Sequence, residues 1–240
     1  MEYEGLNEAR ELIESSSNVV FLTGAGMSAE SGVPTFRGKD GLWKKFKAEE
    51  LATPEAFQSD PKTVWEWYDS RRAKLRTVRP NAGHYSIAKF GLRKDVNIVT
   101  QNVDGLHKKA GSKDIHELHG NIWTVKCTRC SKKSENYDVP IKILPKCECG
   151  GLLRPGVVWF GESLNQKILS RSSEALSKAN LTVVVGTSGL VQPAASLAMI
   201  AKSNGSKVIE INLNKTPNYG LIDLFLIGKA AEILPQMLSE

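Results

Sequence analysis

The segment Val19-Val20-Phe21-Leu22-Thr23 followed at once by Gly24-Ala25-Gly26-Met27-Ser28-Ala29 restricts the fold more than any other stretch of the chain. An apolar run rich in β-branched residues reads as a strand buried on both faces, and such strands belong to parallel sheets covered by helices. The G-x-G-x-x-A sequence that ends it lets backbone N–H groups approach a pyrophosphate without an intervening Cβ. A glycine turn serving only helix–strand packing is the competing reading.

The rest of the chain supports an α/β fold. Leu6, Ala9 and Ile13 recur at helical spacing before the strand, and further buried strands are predicted at Val96 to Thr100, Leu181 to Val185, Lys207 to Ile211 and Asp223 to Ile227. Helix-length segments separate most of them, which predicts a doubly wound parallel sheet of Rossmann type. Two stretches break the rhythm. Trp43 to Pro80 is helix-like and holds three of the tryptophans, and Trp123 to Pro155 holds all four cysteines. The expected organisation is a discontinuous dinucleotide-binding domain (1-42, 81-121 and 156-240), with a helical module (43-80) and a zinc-binding module (122-155) packed together as a small domain.

Composition narrows the class. The 240 residues are enough for one or two domains, and 41% apolar content with 24% charge excludes disordered and collagen-like chains. No apolar run approaches the roughly 18 to 20 residues of a membrane span, and the acidic start (Glu2, Glu4, Glu8, Glu11) is unlike a signal peptide, so a cytoplasmic, membrane-free protein is expected. The net charge of +6 is scattered, which disfavours direct nucleic-acid binding as the main role.

Several strand ends carry polar residues where open α/β sheets bind ligands: Gln101-Asn102-Val103-Asp104 after one, Gly186-Thr187-Ser188 after another, and Asn212-Leu213-Asn214 after a third. Their convergence favours one long ligand such as a dinucleotide, although Asp104-Gly105 alone could be a helix cap. No acidic residue stands where a dehydrogenase would bind the ribose; Glu30-Ser31-Gly32-Val33-Pro34-Thr35-Phe36-Arg37-Gly38 follows the turn instead. Cys127-x-x-Cys130 and Cys147-x-Cys149, separated by 16 residues, suit a closed tetrahedral zinc site, against buried or redox-active thiols as the alternative. Four thiolates leave no position at which to activate water, so such a zinc is structural.

Of the four histidines, His84 and His107 fall in helix-like segments and read as satisfied core or surface residues. His119, before Gly120 and just ahead of the cysteine module, is placed at the mouth of the cleft, where a base of near-neutral pKa is useful. Val64, Trp67, Tyr68, Arg71 and Leu75 share one helix face, which makes Tyr68 and Arg71 neighbours and a receptor for a carboxylate. An internal salt bridge to Arg71 is the alternative.

Read together, these motifs resemble the sirtuin family over nearly the whole length. The resemblance implies an NAD-dependent protein-lysine deacylase that consumes NAD as co-substrate and holds one structural Zn²⁺ on Cys127, Cys130, Cys147 and Cys149. In that family the acyl-lysine amide oxygen attacks C1′ of the nicotinamide ribose, nicotinamide leaves, and water completes release of lysine and 2′-O-acyl-ADP-ribose. By motif match His119 is the general base. Asn102 and Asp104 line the nicotinamide and ribose site, and Gln101 and Val103 belong to the same motif. Gly24, Ala25, Gly26, Ser28, Glu30, Phe36, Arg37, Trp43, Gly186, Thr187, Ser188, Asn212, Leu213, Asn214 and Ala230 complete the NAD site, with the Gly32 to Trp43 loop as a mobile cover. Val157, Val158, Trp159, Phe160 and Gly161 match the segment that pairs with the substrate backbone as an added strand. Tyr68 and Arg71, with Thr35, resemble the subgroup that takes acidic acyl groups, which implies desuccinylase and demalonylase activity beside deacetylation. DNA-associated protein substrates are compatible with the charge. An NAD-dependent protein ADP-ribosyltransferase, a zinc-ribbon nucleic-acid adaptor and a non-catalytic NAD-sensing module are the competing functions, separable by product mass, salt-dependent DNA binding and nicotinamide release.

Overall fold

The protein is described from a computed structural model, which covers residues 3–35, 48–190, 192, 194–216 and 220–239. In chain order the first elements are α1 (Leu6–Ser15), β1 (Asn18–Thr23) and a 3-10 helix (Ala25–Ser31). Four helices follow: α2 (Ala48–Leu51), α3 (Pro54–Ser59), α4 (Pro61–Thr77) and α5 (Ala82–Phe90). Then come β2 (Asp95–Thr100), α6 (Leu106–Ala110), β3 (Ile115–Glu117), β4 (Gly120–Cys127), β5 (Lys133–Glu135) and β6 (Leu153–Val157). The chain closes with α7 (Gln166–Ser177), β7 (Leu181–Val185), α8 (Ala194–Ser203), β8 (Lys207–Asn212), β9 (Leu224–Ile227) and α9 (Ala230–Met237).

Six strands form one parallel sheet in the order β3-β2-β1-β7-β8-β9. Alternation along the central strands explains why it is wound on both sides. Val19, Phe21, Val183, Val185, Ile209 and Ile211 face a core shared with α1, α5 and α9. Val20, Leu22, Val184 and Val208 face the opposite core with α7 and α8. Strand order reverses between β1 and β7, so their C-terminal ends open a crevice at the switch point.

Between β3 and β7 the chain builds a second, antiparallel sheet, β5-β4-β6. Its apolar side shares a core with the helical stretch: Phe57, Val64, Trp65, Trp67, Tyr68 and Leu75 pack with Ile122, Val125, Ile141, Val157 and Trp159. Helix α4 starts at Pro61 with the Asp60 side chain accepting the N–H of Thr63 at 3.0 Å, and ends among Lys74 and Arg76, which suit its dipole. Trp65 donates its indole N–H to the carbonyl of Leu153 at 2.8 Å, tying the helix to β6. No helix among the described residues is long and apolar enough to cross a membrane.

Candidate active site

The glycine turn after β1 packs directly on the turn after β7. Gly24 N–H donates to Val185 O and Gly26 N–H to Gly186 O, both at 2.9 Å. A Cβ on Gly26 would stand 2.6 Å from Gly186 Cα, and one on Gly186, whose φ is +59°, 2.5 Å from Met27 N. The glycines therefore permit two turns to touch, and the wall they form borders a cavity of about 920 Å³. Packing and ligand access are served by the same residues.

Gly24, Ala25, Gly26, Glu30, Gly186, Thr187, Ser188, Asn212, Leu213, Asn214 and Ala230 line one end of this cavity. Gln101, Asn102, Val103 and His119 stand in its wall, and Thr35, Tyr68, Arg71, Val157, Val158, Trp159, Phe160 and Gly161 line it as well. Ser28 and Asp104 depart from the expectation, because they stand one layer behind. The Ser28 hydroxyl donates to Asp104 Oδ2 at 2.7 Å, and Asp104 Oδ1 caps the N–H of Leu106 at 2.8 Å. Asn102 Nδ2 donates to Gly24 O at 2.9 Å and to Ser28 Oγ at 3.2 Å, so this buried pair braces the amide that reaches the cavity. Burial raises the Asp104 carboxyl above its ordinary value, opposed by the Leu106 N–H and the Ser28 hydroxyl. Glu30 accepts the N–H of Ala231 at 3.1 Å, so a carboxylate already occupies part of the first turn of α9. Phe36, Arg37, Trp43 and most of the Gly32 to Trp43 loop lie outside the described residues.

His119 is anchored by one bond, Nδ1 to the carbonyl of Gln101 at 2.9 Å. A carbonyl only accepts, so Nδ1 carries the proton and Nε2 keeps its lone pair. Burial lowers the imidazole pKa, partly offset by that carbonyl, and holds the ring neutral. A neutral, oriented imidazole in a cavity wall is equipped to take a proton.

On the other wall, Trp159 donates its indole N–H to the Tyr68 hydroxyl at 2.9 Å, leaving the phenolic proton for another acceptor. Burial pushes the Tyr68 pKa up to about 12, so it remains a donor. The Arg71 guanidinium lies 4.7 Å from the Trp67 ring centre and 5.6 Å from that of Tyr68. No carboxylate among the described residues pairs with Arg71. The fully buried arginine of α4 is Arg72, which the helical face did not single out. Its Nη2 donates to Asn136 O at 2.6 Å and Asp138 O at 3.1 Å, and its ring-like plane lies 5.3 Å from Trp123.

The segment after β6 is held by an ion pair, with Arg154 Nη1 2.5 Å from Glu162 Oε1 and Nη2 2.9 Å from Oε2. The N–H groups of Val158, Trp159 and Phe160 donate to His119 O, Glu162 Oε2 and Ala52 O, at 2.8, 2.8 and 2.9 Å. An incoming backbone cannot use those three donors without displacing an internal bond.

Away from the cavity, the Sγ atoms of Cys127, Cys130, Cys147 and Cys149 all lie within 4.8 Å of one another and could hold one metal ion. The N–H groups of Cys130 and Arg129 point at Cys127 Sγ, 3.4 and 3.3 Å away, and lower its pKa to about 6, which favours the thiolate a metal needs. Gly150, with φ +79°, makes the tight turn, and a Cβ on Gly151 would stand 2.8 Å from Cys127 Sγ. Sulfur-only donors at this spacing fit zinc.

Comparison with known proteins agrees with this geometry. The Sir2 family model matches residues 24–193. The NAD-dependent protein deacylase of Aquifex aeolicus is 56% identical over 217 residues, covering 89% of this chain and 91% of that one. The protein of the same name from Pyrococcus furiosus is 50% identical over 245 residues, covering 98% and 97%. A solved mutant Sir2 homologue in complex with ADP ribose superposes with a TM-score of 0.92 at 46% identity, covering 96% of this chain and 94% of its own. A Sir2 complex with a p53 peptide and NAD⁺ superposes at 0.86 with 32% identity, covering 99% and 98%. The chain belongs to the Sir2 family.

Proposed function

We infer that the chain is an NAD-dependent protein-lysine deacylase that removes acetyl, succinyl and malonyl groups, and that it holds one structural zinc on its four cysteines. The observation that carries this reading is the position of His119, in its Nδ1–H tautomer, in the wall of one cavity that reaches from the glycine turns to Tyr68 and Arg71. The deacylase name of its relatives and the peptide and NAD⁺ in a structural neighbour support it.

Bound NAD would supply the ribose carbon that takes up the acyl oxygen, with nicotinamide and 2′-O-acyl-ADP-ribose as products. Gly24 to Gly26, Gly186 to Ser188 and Asn212 to Asn214 would hold the dinucleotide, and Asn102, braced by Gly24 and Ser28, would orient its reacting end. His119 Nε2 would accept a proton from a ribose hydroxyl. The Arg71 fork and the free Tyr68 proton would bind the distal carboxylate of a succinyl or malonyl group. Of the carbonyls of Val157 to Gly161, those of Val157 and Trp159 already accept from Arg154 Nη2 and the Glu162 N–H, each at 3.0 Å, so a peptide backbone would share or displace internal bonds as it pairs here, and such main-chain pairing suits many lysines rather than one sequence. The helical stretch 43-80 and the cysteine module 122-155 act as one small domain in this reading, on the strength of their shared core. Four cysteines outside any disulfide fit the reducing cytosol, and the charge of +6 keeps DNA-associated proteins among the substrates.

Acetyl-lysine and succinyl-lysine peptides incubated with NAD test both levels. The wild-type chain is expected to deacylate both. Arg71→Met should lose about 1.5 to 3 kcal/mol of succinyl transition-state binding, roughly ten- to over a hundredfold, with little change for acetyl. Equal losses on both peptides would remove the acyl selectivity, and no NAD-dependent loss of either group would remove the function.

A further inference from the structure

His84 on α5 and His107 on α6 are buried, at 0% and 3% exposure, and neither lines the cavity. Their ring centres are 4.9 Å apart, yet among the described residues His84 Nε2 and His107 Nδ1 have no hydrogen-bond partner. The surrounding bonds fix both tautomers. The N–H of Asn81 donates to His84 Nδ1 at 3.3 Å, so His84 carries its proton on Nε2. The Thr23 hydroxyl donates to Thr100 Oγ1 at 2.8 Å and is left to accept from His107 Nε2 at 3.0 Å, which makes His107 Nδ1 a bare acceptor. Among the described residues nothing bonds His84 to His107, so the chain of hydrogen bonds begins at His107. Burial keeps both rings neutral.

The chain of bonds continues past His107. Thr100 Oγ1 accepts the N–H of Asn102 at 3.1 Å, and the carbonyl of that same peptide unit, Gln101 O, accepts Nδ1–H of His119 at 2.9 Å. We propose that Thr23 and His107 are positioning residues for His119, the buried end of a hydrogen-bonded relay that reaches it through the Thr100 hydroxyl and the Gln101–Asn102 peptide. Thr100 Oγ1 accepts from both the Thr23 hydroxyl and the Asn102 N–H, so Thr23 pins the Thr100 rotamer that holds the Gln101–Asn102 peptide in place, and a peptide whose N–H is engaged is a stronger acceptor at its carbonyl. The relay thereby steadies the carbonyl that orients a base which neither residue touches. Its catalytic consequence rests on the reading of His119 given above, whereas the relay itself can be observed without turnover.

The chain has four histidines, so an imidazole ¹⁵N–¹H correlation spectrum can distinguish each ring. The expected protonated nitrogens are Nδ1 for His119 and Nε2 for His84 and His107. Thr23→Val keeps the side-chain shape and removes the hydroxyl. It should shift the His119 Nδ1–H resonance and lower kcat roughly three- to tenfold, with KM for NAD changed less than about twofold, and Thr23→Ser should restore both. A folded Thr23→Val protein with lower Tm but unchanged His119 resonance and kcat would reduce the relay to packing, and a wild-type His119 protonated on Nε2 would overturn it outright. Should Thr23→Val not fold, His107→Phe read in the same two ways decides. A wild type without deacylase turnover would count against the function, while the spectrum would still judge the relay.

Discussion

At His119 one carbonyl chooses the tautomer and burial chooses the charge. Because burial holds the folded pKa below the ordinary 6.5, the ring stays an unprotonated base until the pH drops through that lowered value. The acid limb of kcat/KM for deacylation should therefore fall below pH 6.5. A limb above that pH would mean that another group limits the reaction or that the ring is not buried in solution. The same residues show what sequence can and cannot reveal. Tyr68 and Arg71 are legible because i, i+3 spacing places them side by side on α4. Arg72 is not, because its burial depends on Asn136 and Asp138, which arrive from a distant loop. The nitrogens of His84 and His107 that lack a partner among the described residues are equally invisible, since they follow from the contact of rings on two different helices.

The glycine turns show the cost of a side chain most clearly at the scale of the element. Gly186 and Gly32 both have positive φ, +59° and +85°, but only Gly186 is pressed against another backbone. An alanine at Gly32 should cost only the left-handed conformation, about 1 kcal/mol, whereas Gly186→Ala must also part the two turns. The expected result is a small Tm loss for Gly32→Ala, and for Gly186→Ala a larger loss together with loss of the Tm increase given by ADP-ribose. Equal behaviour would show that the close approach contributes nothing. Strands β1, β2, β7, β8 and β9 are legible as apolar runs, within a residue or two of their ends, although β9 lies at the sheet edge and leaves Ile227 exposed rather than buried. Strands β3 and β5, three residues each, carry too little pattern to read, and β4 and β6 pair across the cysteine loops, so their partners are distant in sequence. The layer of Ser28 and Asp104 behind Asn102 is likewise a product of tertiary contact.

For the whole molecule, the four-cysteine knuckle and the cavity wall proposed to bind the acyl group belong to one packed unit. Tyr68 and Trp159 share a core with β4 and β6, and β4 ends at Cys127. Removing zinc should therefore lower Tm and disturb acyl-peptide binding, although the metal does no chemistry. The expected observation is one zinc per chain, with the four thiols reactive only after a chelator is added. Thiols that titrate freely in the untreated protein, at unchanged Tm, would contradict a structural zinc. The reading of a single cavity for dinucleotide and acyl-lysine is tested most directly by mass spectrometry of the products from an acetyl-lysine and a succinyl-lysine peptide, each with NAD. One nicotinamide and one acyl-ADP-ribose of the matching acyl mass should appear for every lysine freed; ADP-ribosylated protein, or no nicotinamide at all, would contradict it.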